Sequence, residues 1–340
     1  MSTKRLGFFT RVLDDTTAEE RYRFAVEQIQ AAERVGFDSA WVAQHHFHRA
    51  EGGLPSPLVF LSYVAAVTSS IRLGTGIITL PLENALRVAE DTAVLDALSG
   101  GRLEVGVGSG GTPSTFTGFG LELGDRADAY SDNLRIIRDA WAGNIIGHPD
   151  NTLYPPANGL GQRVWQATFS AAGGRRAGLA GDGLMLSRTQ PRSVDAPNAH
   201  LDDLQNPIID AYLDALASGT EPRIVASRTL FVSDDRDSAL GYAEAGLRTA
   251  AVGMRRSGHI LPSDTLADLI RGLDTHVGTT EDVLETLSKD SALARATDLT
   301  FQVHSVDPPH AEILRSLELT ATTVAPALGW VNTTIQHAAS

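Results

Sequence analysis

The sequence contains no cysteine, which excludes disulfides, thiolate metal sites and cysteine nucleophiles together. It also lacks any run of basic residues, with 28 Lys plus Arg against 41 Asp plus Glu and a formal net charge of -13. Affinity for a phosphate backbone comes from clustered cations, so a nucleic-acid partner is not expected. Long apolar runs are missing as well. The most apolar window, residues 54–67, is interrupted by Pro55, Ser56, Pro57, Ser62 and Tyr63 and falls short of the roughly 20 residues that span a bilayer. Residues 1–5 lead through a short apolar stretch into polar residues 11–20, so neither a signal peptide nor a membrane anchor is expected, and the expected location is cytoplasmic.

What is present suits a large buried core: 42% of the residues are hydrophobic and only 20% charged, a composition outside the disordered range. Eight short apolar stretches recur at residues 6–10, 39–43, 71–80, 103–108, 164–169, 183–187, 224–232 and 299–303. Between them, residues 18–35, 57–69, 85–98, 127–141, 201–216, 236–252 and 311–328 carry the 3.6-residue period of helices. Apolar strands alternating with helices indicate a parallel sheet covered by helices. Eight such units predict an α/β fold with an eight-stranded parallel TIM-type barrel, a single domain over residues 1–340. The competing doubly wound sheet would place a Gly-rich turn after the first strand, but Phe9-Thr10-Arg11-Val12 has no glycine. Segments near 144–162, 189–198 and 253–278 read as loop insertions. They are expected at the carboxyl-terminal face, where barrel enzymes build their sites.

The densest ionisable cluster, Gln44-His45-His46-Phe47-His48, immediately follows the second predicted strand. Histidines there suit proton transfer or metal ligation, and otherwise are ordinary loop residues. The His46-x-His48 spacing also fits a metal-dependent hydrolase, with His304 and Asp307 after the eighth strand as further donors. Gly74-Thr75-Gly76-Ile77 at the third strand end suggests either close approach of a flat ligand or irregular barrel packing. Ser109-Gly110-Gly111 and Ser170-Ala171-Ala172-Gly173-Gly174-Arg175-Arg176 follow the fourth and fifth strands. Hydroxyls, glycine amides and a helix start suit a phosphate there, with Arg188 and Arg192 on the same rim; an ordinary Gly-rich turn is the plainer reading. Trp41, Trp165 and Trp330 are expected to be packing residues.

Taken together, residues 33–47, residues 74–81, Ala89-Glu90-Asp91, Ser99-Gly100-Gly101-Arg102 and Gly106-Val107-Gly108 resemble, in order and spacing, the bacterial luciferase-like flavin monooxygenases. Residues 165–170 and 186–192 resemble a subgroup described as FMN-dependent luciferase-like monooxygenases. The resemblance implies a barrel that binds reduced FMN at the carboxyl ends of its strands, receives it from a separate flavin reductase, and uses dioxygen to oxidise a small-molecule substrate. It implies that His45 assists proton transfer beside the flavin, with His46 orienting it. A non-proline cis peptide is implied at Gly76-Ile77, and a phosphate loop at Ser170, Gly173 and Gly174. Ser109 stands where the luciferases have a phosphate-binding arginine and Gly108 where they have a cysteine, which leaves the phosphate charge to Arg175, Arg188 or backbone amides such as that of Gly110. Relatives that use a deazaflavin coenzyme share the Gly-Thr-Gly strand end, so deazaflavin-dependent hydride transfer is the main alternative. A homodimer is expected, with the apolar helix at residues 57–69 as a surface for it.

Overall fold

A computed structural model describes residues 3–256, 258–261 and 263–330. Ten strands form one parallel sheet: β1 Arg5–Thr10, β2 Ser39–Val42, β3 Arg72–Thr75, β4 Ile78–Thr79, β5 Leu103–Gly108, β6 Val164–Ala167, β7 Gly183–Leu186, β8 Ile224–Val232, β9 Thr275–Gly278 and β10 Asp298–Gln302. Eight of them close a barrel in the order β1-β2-β3-β5-β6-β7-β8-β10, and β10 returns to β1 through the register Arg5↔Asp298 to Phe8↔Phe301. The expected eight-stranded α/β barrel is therefore present. β4 continues β3 past Gly76-Ile77 and pairs with β5, while β9 pairs with the outer half of β8 from Thr229↔Thr275 to Val232↔Gly278.

Local chemistry sets where the elements start and stop. The helix Ala18–Val35 is capped by the Thr17 hydroxyl, which accepts the Glu20 amide, and it ends at Gly36 with φ 92°. An acceptor at the first turn and a left-handed glycine after the last are favourable helix termini. Glu33 then accepts the amides of Ser69, Ser70 and Ile71 and so sets the approach to β3.

The barrel interior is filled in layers. At the amino ends of the strands, Arg5 pairs with Asp298 at 2.7 Å and Arg72 with Glu104 at 2.5 Å. Above them Trp41 and Trp165 meet edge to face at 5.8 Å between centroids, each indole N–H satisfied, by Ser39 and Glu104 respectively. These rings occupy space that side chains would otherwise take: a Cβ on Gly74 would lie 2.2 Å from Trp41, and one on Gly183 2.2 Å from Trp165. Trp41, Trp165 and Trp330 are all buried, as expected of packing residues.

Two of the expected insertions are placed differently from the sequence reading. Residues 189–198 do follow β7 at the carboxyl face, but residues 144–162 lead from the helix Arg126–Trp141 into β6. They lie at the amino ends, because a returning helix delivers the chain to the start of the next strand. The described part of residues 253–278 is largely regular: it contains the end of the helix Arg236–Arg256, the helix Leu266–Gly272 and β9. Among the described residues no helix is long and apolar enough to cross a membrane.

Candidate functional site

The carboxyl ends of β2 to β5 enclose a cleft of about 170 Å³ lined by Gln44, His45, His46, Gly76, Ile77, Thr79, Gly110 and Phe116 among others. The Gly76-Ile77 peptide is cis. Gln44 stitches this corner together. Its Oε1 accepts the Thr79 amide at 2.7 Å, and its Nε2 donates to Glu83 Oε1 at 2.6 Å and to the Pro55 carbonyl at 3.2 Å. Beneath the cleft, Thr75 Oγ1 both donates to the Gly106 carbonyl and accepts the Gly106 amide.

Glycine keeps this floor low. A Cβ on Gly76 would fall 2.5 Å from the Phe9 ring, one on Gly108 2.3 Å from Ile77 Cδ1, and one on Gly110 2.5 Å from Thr79 Cγ2. The floor itself is apolar, since Phe9, Ile77 and Ala167 pack on the barrel cluster of Trp41, Trp165, Met185 and Val225. A cradle without side chains over an apolar floor fits a planar ring system.

His45 lines the cleft with its side chain 30% exposed, and its Nδ1 is 3.9 Å from Glu51 Oε2. Residues 48–53 fold across it, and Gly52 permits this, because a Cβ there would sit 2.5 Å from the imidazole. Desolvation in this recess, with the charges of Arg11 and Arg188 adding to it, pushes the His45 pKa down to about 3. The ring is therefore neutral at physiological pH and presents an acceptor nitrogen. Burial also lowers the pKa of His46, although Glu83 opposes the shift. His46 meets Phe119 edge to face at 4.9 Å.

The metal-site alternative does not assemble. His48 Nε2 lies 2.9 Å from Ser114 Oγ at the surface, while His304 is buried and paired through Nδ1 with Asp307 at 2.9 Å. Among the described residues no three acidic or histidine side chains converge to hold an ion.

The expected phosphate residues are spread out. Ser109 and Gly110 follow β5 at the edge of the cleft. Ser170 caps the helix Ala171–Leu179, where its hydroxyl accepts the Gly173 amide at 3.2 Å and its carbonyl the Gly174 amide at 3.0 Å. Gly174 and Gly178 let this helix press on the helix Leu201–Leu213, because a Cβ on either would lie 2.5 or 2.4 Å from the carbonyls of Ile208 and Tyr212. Gly173 is similarly close to Thr168. The amides of Gly173 and Gly174 are thus engaged within the helix start, and their lack of a side chain is used in packing. Arg175 is exposed on the first turn, whereas Arg176 donates to Gln166 and stacks over Tyr130. Arg188 reaches away from that turn, to Thr229 Oγ1 of β8 at 3.4 Å.

Several further residues sit at the same rim. Arg11 donates to the Glu51 carbonyl at 2.9 Å. Val12, Phe47 and Asp307 have positive φ of 56°, 65° and 55° and follow β1, β2 and β10. Such conformations cost energy for residues other than glycine and cluster at functional sites. Arg192 and Asp274 form a buried ion pair that ties residues 189–198 to the start of β9. The His cluster, the glycines at the third strand end and the Ser109-Gly110 turn were readable in the sequence as strand-end features; the contacts of Arg11, Arg192 and Asp274 were not.

Comparison with known proteins agrees with this geometry. The fold superposes on the oxygenating constituent of 3,6-diketocamphane monooxygenase from Pseudomonas putida with a TM-score of 0.72 and 19% identity over 96% of this chain and 98% of that one. It also superposes on the coenzyme F420 dependent tetrahydromethanopterin reductase from Methanopyrus kandleri, with a TM-score of 0.66 and 18% identity over 96% and 100%. In sequence it is 28% identical over 329 residues to 4-hydroxyprotoasukamycin monooxygenase from Streptomyces nodosus subsp. asukaensis, covering 88% of this chain and 85% of the relative. Residues 5–289 match the family described as luciferase-like monooxygenase, and the chain belongs to that family.

Proposed function

We propose that this protein is a flavin-dependent monooxygenase that takes reduced FMN from a separate flavin reductase and uses dioxygen to oxidise a small organic substrate. The observation that carries the reading is the juxtaposition, in one cleft, of the cis Gly76-Ile77 peptide, the side-chain-free positions Gly76, Gly108 and Gly110, and a neutral His45. The isoalloxazine ring would rest on Gly76 and Ile77, with its phosphate toward Ser109, Gly110, Ser170 and Arg175. The 3,6-diketocamphane protein is described in complex with FMN and as an oxygenating constituent, which supports both the coenzyme and a reductase partner.

Bound reduced flavin supplies the electrons that activate dioxygen. The chain's own contribution is to orient, exclude water and handle a proton. Phe9, Ile77 and Phe116 keep the floor and wall of the cleft apolar, which limits water at the reacting edge. Neutral His45 is the general base, acting as acid only with a proton it has first accepted, and His46 orients it. Residues 189–198 are the lid.

A homodimer accompanies this reading. Val59 and Tyr63 on the helix Pro57–Val67, with Val94 and Leu98 on the neighbouring helix Ala85–Leu98, are exposed apolar residues on contacting elements and form the surface for a second copy.

The deciding experiment is equilibrium binding of oxidised FMN, reduced FMN and the deazaflavin coenzyme to the purified protein, followed by absorbance or fluorescence. Preference for reduced FMN is expected. Preference for the deazaflavin would move the reading to hydride transfer, the chemistry suggested by the likeness to the F420 dependent reductase.

A further inference from the structure

The barrel mouth has two unlike halves. Toward β3, β5 and β6 it is glycine and apolar side chain, as described above. Toward β7, β8 and β10 it is polar: interior positions there hold Ser227, Thr229 and Gln302, and the register Gln302↔Thr229 sets the last two side by side. Gln302 faces inward because it alternates with Leu299 and Phe301, which pack outward under the helices, and shares its face with Thr300, whose Cγ2 lies against Gly7 of the adjacent strand β1.

Two observations in this polar half are independent of each other. First, Gln302 is fully buried, yet among the described residues neither its amide nitrogen nor its amide oxygen has a hydrogen-bond partner. A buried amide left unmade on both atoms costs free energy unless water or a ligand completes it. Second, neither Arg11 nor Arg188 has a carboxylate within ion-pair distance among the described residues. Of the acidic residues whose charges reach them, Asp274 is engaged by Arg192 and Thr189 and Asp307 by His304, while Glu51 meets Arg11 through its backbone carbonyl and keeps its carboxylate 3.9 Å from His45 Nδ1. Arg188 lies against Thr229, beside Gln302, and the Arg11 charge is near enough to lower its proton affinity further after burial has done so. Two like charges in a recess, neither with a carboxylate within ion-pair distance among the described residues, are an unfavourable arrangement that an anion relieves.

We propose that this polar half of the mouth binds a carboxylate or comparable oxyanion of the substrate, received by the guanidinium of Arg188 and the amide of Gln302, with Arg11 at its edge. The substrate is thus an organic acid whose apolar part extends toward His45 and the ring-binding half. Calling the ligand a substrate rests on the flavin reading above; the anion site itself does not.

The test is calorimetric titration of the flavin-free full-length protein with acetate, benzoate and octanoate, and with benzamide and octanamide as neutral counterparts. Wild type, Arg188→Gln and Arg188→Lys are compared, with reduced FMN binding measured separately on each. At least one carboxylate should bind about tenfold or more tightly than its amide. Arg188→Gln should abolish that difference while Arg188→Lys keeps most of it, and reduced FMN binding should stay unchanged. The proposal is overturned if wild type does not discriminate acid from amide. It is also overturned if Arg188→Gln leaves the discrimination intact, or weakens only reduced FMN, in which case the guanidinium serves the coenzyme. Discrimination in a wild type that binds no reduced FMN would keep the anion site and remove the flavin reading.

Discussion

The side-chain oxygen of Gln44 accepts the backbone N–H of Thr79 at 2.7 Å, so the residue before His45 is bonded to the strand that follows the cis Gly76-Ile77 peptide. This links the segment that carries His45 to the one that carries the cis peptide. Replacing Gln44 by Leu leaves the buried Thr79 amide unpaired, at a cost of about 1–3 kcal/mol. The expected result is a lower urea midpoint together with weaker binding of reduced FMN. A variant with wild-type coenzyme affinity would show that the link is structural only.

For His45→Ala, turnover should fall about 10² to 10⁴-fold, as for loss of a general acid or base, while reduced FMN binds nearly as in wild type. Steady-state oxygen uptake with an accepted substrate gives the answer, and unchanged turnover would remove His45 from the mechanism.

Stability should depend on pH with a definite sign. His45 has its pKa pushed from near 6.5 to about 3, and burial lowers those of His46 and His259 too. In each case the unfolded chain binds protons more readily than the folded one. The stabilisation is therefore complete above about pH 6.5 and is lost as the pH falls from there toward 3. In His45→Asn, the decline in melting temperature between pH 6.5 and 5 should be shallower than in wild type. An identical slope would show that His45 titrates normally.

Residues 189–198 are held at one end by Arg192, whose ion pair with Asp274 is almost fully buried. Asp274 also has a φ of 52°, which asparagine tolerates. Removing one partner of a buried pair costs up to about 3–5 kcal/mol. In Asp274→Asn, hydrogen exchange of residues 189–198 should accelerate well before the barrel strands do. Uniform acceleration would mean that this segment is part of the core and not a lid.

If the chain pairs through its exposed apolar helices, Val59→Asp combined with Tyr63→Asp should halve the mass seen by light scattering. The thermal transition would then also become less dependent on protein concentration. A wild type that is monomeric at micromolar concentration contradicts the pairing.

Much of the barrel was legible because its signals are local. Eight apolar stretches separated by helical periods correspond to β1, β2, β3 with β4, β5, β6, β7, β8 and β10. β9 escaped notice because Thr275–Gly278 is only four residues long and half of it is incompletely buried. The face on which residues 144–162 lie follows from what precedes them, a helix, and not from their composition.

The sequence by itself determined the alternation of strand and helix, the position of His45 just past a strand, and the glycines at the third strand end, because periodicity and steric allowance are properties of neighbouring residues. Only the tertiary structure decided that Gly174 and Gly178 serve helix packing while Gly173 makes room for Thr168, that Arg188 turns toward Thr229, and that Gln302 meets it with both amide atoms unpartnered. Those relationships join residues far apart in the chain, and they depend on which strands barrel closure makes neighbours.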